Sequence, residues 1–161
     1  MTNEPFPGAD REAADLEESY RRYIAAYPQQ LLTKGKPIDF AALGFWSFPL
    51  LIVACQANAM FMFDEPAFDE MFRTQYDGYR EDGWAGRVAV DSIQIHPLQP
   101  GVALLEGKGS RYREDGSVLD TWDTMYLMRK ARGVWQTVMI ADSVQTRPTI
   151  EQWKAWARSL A

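Results

Sequence analysis

From Val102 to Asp142 the chain alternates between apolar and polar positions in three runs rich in Val, Leu, Ile, Tyr, Trp and Thr. Asp115-Gly116 and Arg132-Gly133 separate the runs. The favoured tight hairpin turn needs positive φ at both central residues, which suits such pairs, so the pattern predicts a three-stranded antiparallel meander. With two-residue turns the register follows by counting. Arg111 then faces Asp120, Gly109 faces Trp122, Gly107 faces Thr124 and Leu105 faces Tyr126, on one face with Met128, Thr137 and Met139. The other face carries Leu104, Glu106, Lys108, Asp123, Met125, Leu127, Val138, Ile140 and Asp142, so that Lys108 opposes Asp123 and Asp123 opposes Asp142. A meander with one wet face alternates cleanly, whereas this one has large apolar groups on both. Both faces are therefore expected to be covered, one by the protein's own helices and the other by a second subunit. Trp122 and Tyr126, across from small residues, suit that subunit interface. One bulge in either hairpin would shift these pairs by a residue.

Helical spacing precedes the meander. Leu16, Tyr20, Tyr23, Ile24 and Tyr27 mark a first helix, with Asp10 as its expected N-cap and Pro28 ending or kinking it. A short helix over Ile38–Leu43 leads into the apolar segment Gly44–Cys55, read as a buried strand from about Phe48, with Met60–Phe63 pairing back on it. Asp64 caps a third helix, whose face of Phe68, Met71, Phe72, Gln75, Tyr76 and Tyr79 runs to a stop at Gly83. Arg87–Pro97 alternates as a strand. After Pro148, Thr149 and Gln152 form a capping-box pattern before Ile150, Trp153, Trp156, Ala157 and Leu160. Helices before a meander mean an α+β fold: a curved antiparallel β-sheet wrapped over N-terminal helices as a cone with one open end. The expected organisation is a flexible arm at 1–9, one domain at 10–143 and a C-terminal helical extension at 144–161.

Composition narrows the function classes. The chain has 161 residues, 47% of them hydrophobic, which is enough for a real core, and a net charge of −5. An acidic chain without a Lys/Arg-rich run argues against nucleic acid. Its longest apolar run, Phe45–Cys55, is too short to span a bilayer. The single Cys55 cannot form an internal disulfide and the single His96 excludes a multi-histidine metal site. The expectation is a cytoplasmic protein without a metal or cofactor, and with no nucleic-acid or membrane partner.

The candidate chemistry is carboxylate-based. Lys108, Asp123 and Asp142, with Glu106 nearby, form the candidate catalytic set. Carboxylates held close together on an apolar face cannot both ionise easily, and one with a raised pKa can shuttle protons. The same residues also read as a structural Lys108–Asp123 ion pair near a wet rim. Tyr23, Tyr27, Trp46, Phe72, Tyr76, Glu106 and Met125 are the expected lining of a ligand pocket, although aromatic residues at these spacings also build plain cores. Trp46 and Tyr27 stand apart because a buried indole N–H or phenol O–H needs a polar partner. His96 reads either as a lone general base or as an exposed turn residue, and Arg111 with Asp120 as a structural cross-strand pair.

The element order, the GSRYREDGSVL hairpin, the TWDTMYLMRK strand and the GVW opening of the last strand resemble the SnoaL-like branch of the nuclear transport factor 2-like superfamily, over roughly Asp10 to Ser143. They also resemble the families around the ketosteroid isomerases. The resemblance implies a cone-shaped, cystatin-like α+β barrel, a hydrophobic pocket between sheet and helices, and a homodimer through the sheet face. Its members include isomerases, cyclases, dehydratases and non-catalytic binding modules. Three functions compete on that basis: cofactor-free proton transfer on a hydrophobic carbonyl ligand, binding of a hydrophobic ligand or partner without chemistry, and a dimerising scaffold with no cavity.

Overall fold

A computed structural model of the protein describes residues 5–53 and 59–142. The chain runs α1 (Ala9–Leu31), α2 (Phe40–Leu43), β1 (Trp46–Val53), β2 (Ala59–Met62), α3 (Glu65–Glu81), β3 (Trp84–Gln99), β4 (Val102–Arg113), β5 (Val118–Ala131) and β6 (Val134–Asp142). The fold is α+β, as the pattern predicted. The proposed capping box at Thr149 and the helical extension lie outside the described residues.

α1 forms on the expected stripe. Leu16, Tyr20, Tyr23, Ile24, Tyr27 and Leu31 are all buried, while Glu17–Arg21 and Glu18–Arg22 pair four residues apart on exposed positions. Its N-cap is Gly8 rather than Asp10, and the helix runs through Pro28 to Leu31. Pro28 removes one helical N–H, and only three residues of the helix follow it. Asp15 ties the helix to the last hairpin through Lys130 Nζ at 2.6 Å and Trp135 Nε1 at 3.0 Å.

The strands form one mixed six-stranded sheet in the order β2-β1-β6-β5-β4-β3. The four-strand antiparallel run is present, but β1 lies parallel to β6. This pairing joins segments some ninety residues apart, so no local signal announces it. The first hairpin has the register counted from the sequence, including Arg111 opposite Asp120 and Lys108 opposite Asp123. Its tip is wider than two residues, since Arg113 N donates to Ser117 O at 2.9 Å. A bulge at Leu119 takes up the odd residue.

The second hairpin corrects the prediction. Its turn is the expected two-residue one, with φ 52° at Arg132 and 80° at Gly133, but Val138 bulges between the pairs Met128–Thr137 and Leu127–Met139. Beyond it Ile140 faces Tyr126, and Asp142 faces Thr124 instead of Asp123.

The face toward the helices holds the main core, where Tyr20, Tyr23, Phe45, Trp46, Phe68, Tyr76, Trp122 and Tyr126 pack with aliphatic residues of all three helices. Trp122 and Tyr126 are buried there within one chain, which corrects their assignment to a subunit interface. Trp122 lies over Gly109, opposite it, and Tyr20 of α1 takes the space at Gly107, while Tyr126 stands opposite Leu105. The other face buries Leu104, Met125 and Ala141, beside Val53, Leu98 and Leu127.

One polar contact sews the helical layer together. Asp69 of α3 is buried, accepts from Ile38 N at 2.8 Å just before α2, and pairs with Arg73 at 2.7 Å. Asp69→Ala leaves a backbone N–H without its acceptor and is expected to cost about 2 kcal/mol. Asp69→Asn keeps the acceptor and is expected to cost about half as much. Urea denaturation of the two variants checks both the size and the order.

Candidate functional site

A cavity of about 370 Å³ opens between the helices and the far half of the sheet. α1 supplies Tyr23, Ile24 and Tyr27, and α3 supplies Phe72, Gln75, Tyr76 and Tyr79. The sheet supplies Trp46, Arg111, Asp120, Thr121, Trp122, Asp123, Thr124, Tyr126 and Ile140. The helical residues recur every three or four positions, so each helix turns one aromatic stripe to the same space.

The charge in this wall is Arg111. The alternation of β4 turns it inward with Leu105, Gly107 and Gly109, and its side chain is only 11% exposed. Its Nε and Nη2 donate to Tyr76 Oη at 3.2 and 2.9 Å, and its Nη1 donates to Asp120 Oδ2 at 2.9 Å. Tyr79 Oη donates to the same Asp120 oxygen at 2.9 Å. The guanidinium carbon lies 4.8 Å from the Trp122 ring centre, 4.9 Å from Tyr79 and 5.3 Å from Tyr76. Three rings, a phenol and a carboxylate thus fix a buried guanidinium that stays charged at any ordinary pH.

Burial sets the protonation of the phenols. It raises Tyr23 and Tyr76 well above the ordinary tyrosine range, raises Tyr20 and Tyr27 less, and pushes Tyr79 to about 12 against the pull of Arg111. All remain O–H groups near neutrality, able to donate a hydrogen bond to an oxygen but not to act as bases. Trp46 Nε1 is buried without a hydrogen-bond partner among the described residues. The sequence marked that indole as needing one.

Of the expected pocket residues, Tyr23, Tyr27, Trp46, Phe72 and Tyr76 line the cavity. Glu106 and Met125 do not: the β4–β5 register puts them on the opposite face, Met125 packed against Leu104 and Ala141, Glu106 beside His96 Nε2 at 3.2 Å. His96 lies within β3 rather than in a turn. Asp123 contributes to the cavity lining, but the register that turns Glu106 and Met125 away carries its side chain to the same face, where it pairs with Lys108 Nζ at 2.9 Å. Asp142 is separated from Asp123 by the Val138 bulge.

Sequence reasoning missed the role of Arg111, because a charge beside a turn with an acid opposite reads as a surface pair. The usable signal was its face. The same count that paired it with Asp120 also put it in line with Leu105, Trp122 and Tyr126, where a lone cation needs a reason. Among the described residues no group of three or more His, Cys, Asp or Glu side chains is placed to hold a metal, and no helix is long and apolar enough to cross a membrane.

A curved sheet laid over helices, with a cavity held between them, defines the class: an NTF2-like α+β protein. Residues 12–144 match the family described as NTF2-like protein (DUF6841), and the chain belongs to it. Solved structures bear out the fold. An NTF-2 like protein of unknown function from Shewanella oneidensis MR-1 has 17% identity over 82% of this chain and 98% of its own, with a TM-score of 0.58. Aln2 from a Streptomyces species has 14% identity over 96% and 98%, with a TM-score of 0.58. A ketosteroid isomerase-like protein from Erwinia carotovora atroseptica has 15% identity over 81% and 93%, with a TM-score of 0.51. Curated proteins gave no match.

Proposed function

We propose that this chain binds a small, mostly apolar molecule in the cavity and holds an oxygen of that molecule on Arg111. The observation that carries this reading is the buried guanidinium fixed among Tyr76, Tyr79, Trp122 and Asp120. A buried ion pair with no task beyond stability is replaceable, both partners together, by apolar residues at little cost, whereas a fixed donor at a cavity wall is what orients a ligand. The cavity is also of the size that small-molecule sites occupy. The homodimer implied by the resemblance, and a reducing cytoplasm for the lone Cys55, belong to the same reading.

A second reading adds cofactor-free proton transfer on a carbonyl ligand, as in an isomerisation, cyclisation or dehydration. What favours it is that Asp123 of β5 reaches the cavity lining and is paired with Lys108 on the neighbouring strand. Asp123 would be the base, with the phenols and Arg111 polarising the carbonyl. Asp123→Asn separates the two readings. With a β,γ-unsaturated cyclic ketone as probe, proton transfer predicts at least a hundredfold loss of isomerisation with binding retained. Unchanged turnover would remove Asp123 from the role of base. Binding without turnover, in the parent protein as in the variant, is the result expected of a non-catalytic binder.

A further inference from the structure

We propose that the cavity's ligand is an aromatic or otherwise flat carboxylate, its carboxylate paired with Arg111 and its apolar body among the rings; this rests on the cavity being the ligand site. Three observations carry it beyond a neutral carbonyl.

The first is the donor count. A guanidinium has five N–H groups. In Arg111 two go to Tyr76, one to Asp120 and one to the Tyr27 hydroxyl, so one is left over on a side chain only 11% exposed. The Tyr27 hydroxyl, also in the cavity wall, accepts from the guanidinium and can itself donate to an arriving oxygen. The second is that Asp120 engages through one oxygen, which it also offers to Tyr79. A one-point contact leaves the guanidinium open beside Tyr27, and its remaining N–H with the Tyr27 O–H offers a carboxylate two donors, one of them charge-assisted. The third is the uneven exposure of the two charges. Asp120 is 35% exposed and screened by water, whereas Arg111 is only 11% exposed. On the cavity side the positive charge is therefore the less screened of the two. Asp123 does not reverse this, because Lys108 sits 2.9 Å from it. The Asp123 side chain is turned with Lys108 to the other face of the sheet, so the charges that an arriving carboxylate meets are Arg111 and Asp120.

The test uses two probes of one shape, 2-naphthoate and the neutral ketone 2-acetonaphthone, titrated into the full chain by calorimetry. The expected result is naphthoate binding about tenfold more tightly than the ketone, the margin of a charge-assisted over a neutral hydrogen bond. Arg111→Met should abolish that preference, and Arg111→Lys, which keeps the charge but not the fork, should leave only part of it. Ketone binding equal to or tighter than naphthoate in the parent protein overturns the proposal and leaves the cavity reading standing. So does a preference for naphthoate that survives Arg111→Met. If neither probe binds, both the proposal and the cavity reading fail. The parent comparison needs no variant, so it decides even if Arg111→Met does not fold.

Discussion

Gly109→Ala is expected to lower stability by about 3 kcal/mol, among the larger effects that one added methyl produces. Gly109 lies mid-strand in β4, opposite Trp122. A Cβ there would fall under 3.0 Å from two ring carbons of Trp122 and from the Ala89 carbonyl oxygen. A flexible chain end would step aside, but this obstruction is a backbone oxygen on one side and a buried indole on the other. That indole also packs on Arg111 and donates to Tyr20 Oη at 3.4 Å. Relief therefore means moving β3 or displacing Trp122 into the cavity, so ligand binding should fall with stability. Gly78→Ala is the control. Gly78 lies inside α3, and nothing stands within 4 Å of the point where its Cβ would lie. Alanine there should stabilise the protein by about 0.5–1 kcal/mol through lost freedom of the unfolded chain and better helix propensity. Thermal melts of the two variants should move in opposite directions. A Gly109→Ala melt within about 2 °C of the parent, less than roughly 1 kcal/mol for a chain of this size, would mean that the Trp122 contact is soft.

The same residues show how far the sequence carries. Period-two alternation and an Asp-Gly turn placed Gly109 opposite Trp122 and Lys108 opposite Asp123, and the structure has both pairs. The wider tip and the Leu119 bulge cancel, so the pairs beyond them fall where the count puts them, and apolar patterning locks them there. The Val138 bulge left no such mark. Val, Met and Ile follow one another in β6, and an apolar run reads the same whether or not one member is extra. That single residue moved Ile140 to the cavity face and took Asp142 away from Asp123, so the carboxylate set built on ideal counting came apart while Lys108–Asp123 held. The aromatic half of the cavity was legible because helical spacing of Tyr23, Tyr27, Phe72 and Tyr76 fixes which face they share. Its polar half was not, because Arg111 owes its meaning to α3, more than thirty residues away, whose tyrosines close around it.

Arg111→Met is the second large effect. Removing one partner of a fully buried ion pair costs roughly 3–5 kcal/mol, mostly for the stranded charge. Asp120 is a third exposed and keeps the Tyr79 hydroxyl at 2.9 Å, so part of its charge is resolvated. That places the expectation at the lower end, about 3 kcal/mol, with the loss of both Tyr76 contacts included. Methionine keeps the space filled and stays against the three rings, so little of the cost comes from a void. Asp120→Asn alone should cost less, about 1 kcal/mol, since an amide oxygen can still accept from Tyr79 and Arg111. In Arg111→Met/Asp120→Asn there is no stranded carboxylate. The double variant should therefore be no less stable than Arg111→Met, and short of the sum of the singles by about 1 kcal/mol or more, the usual size of coupling between touching residues. Denaturant midpoints of the four proteins close this cycle. Strict additivity would mean that water already screens Asp120 from Arg111. The guanidinium would then be held by Tyr76 and the rings alone, and its charge would be still more available to a ligand.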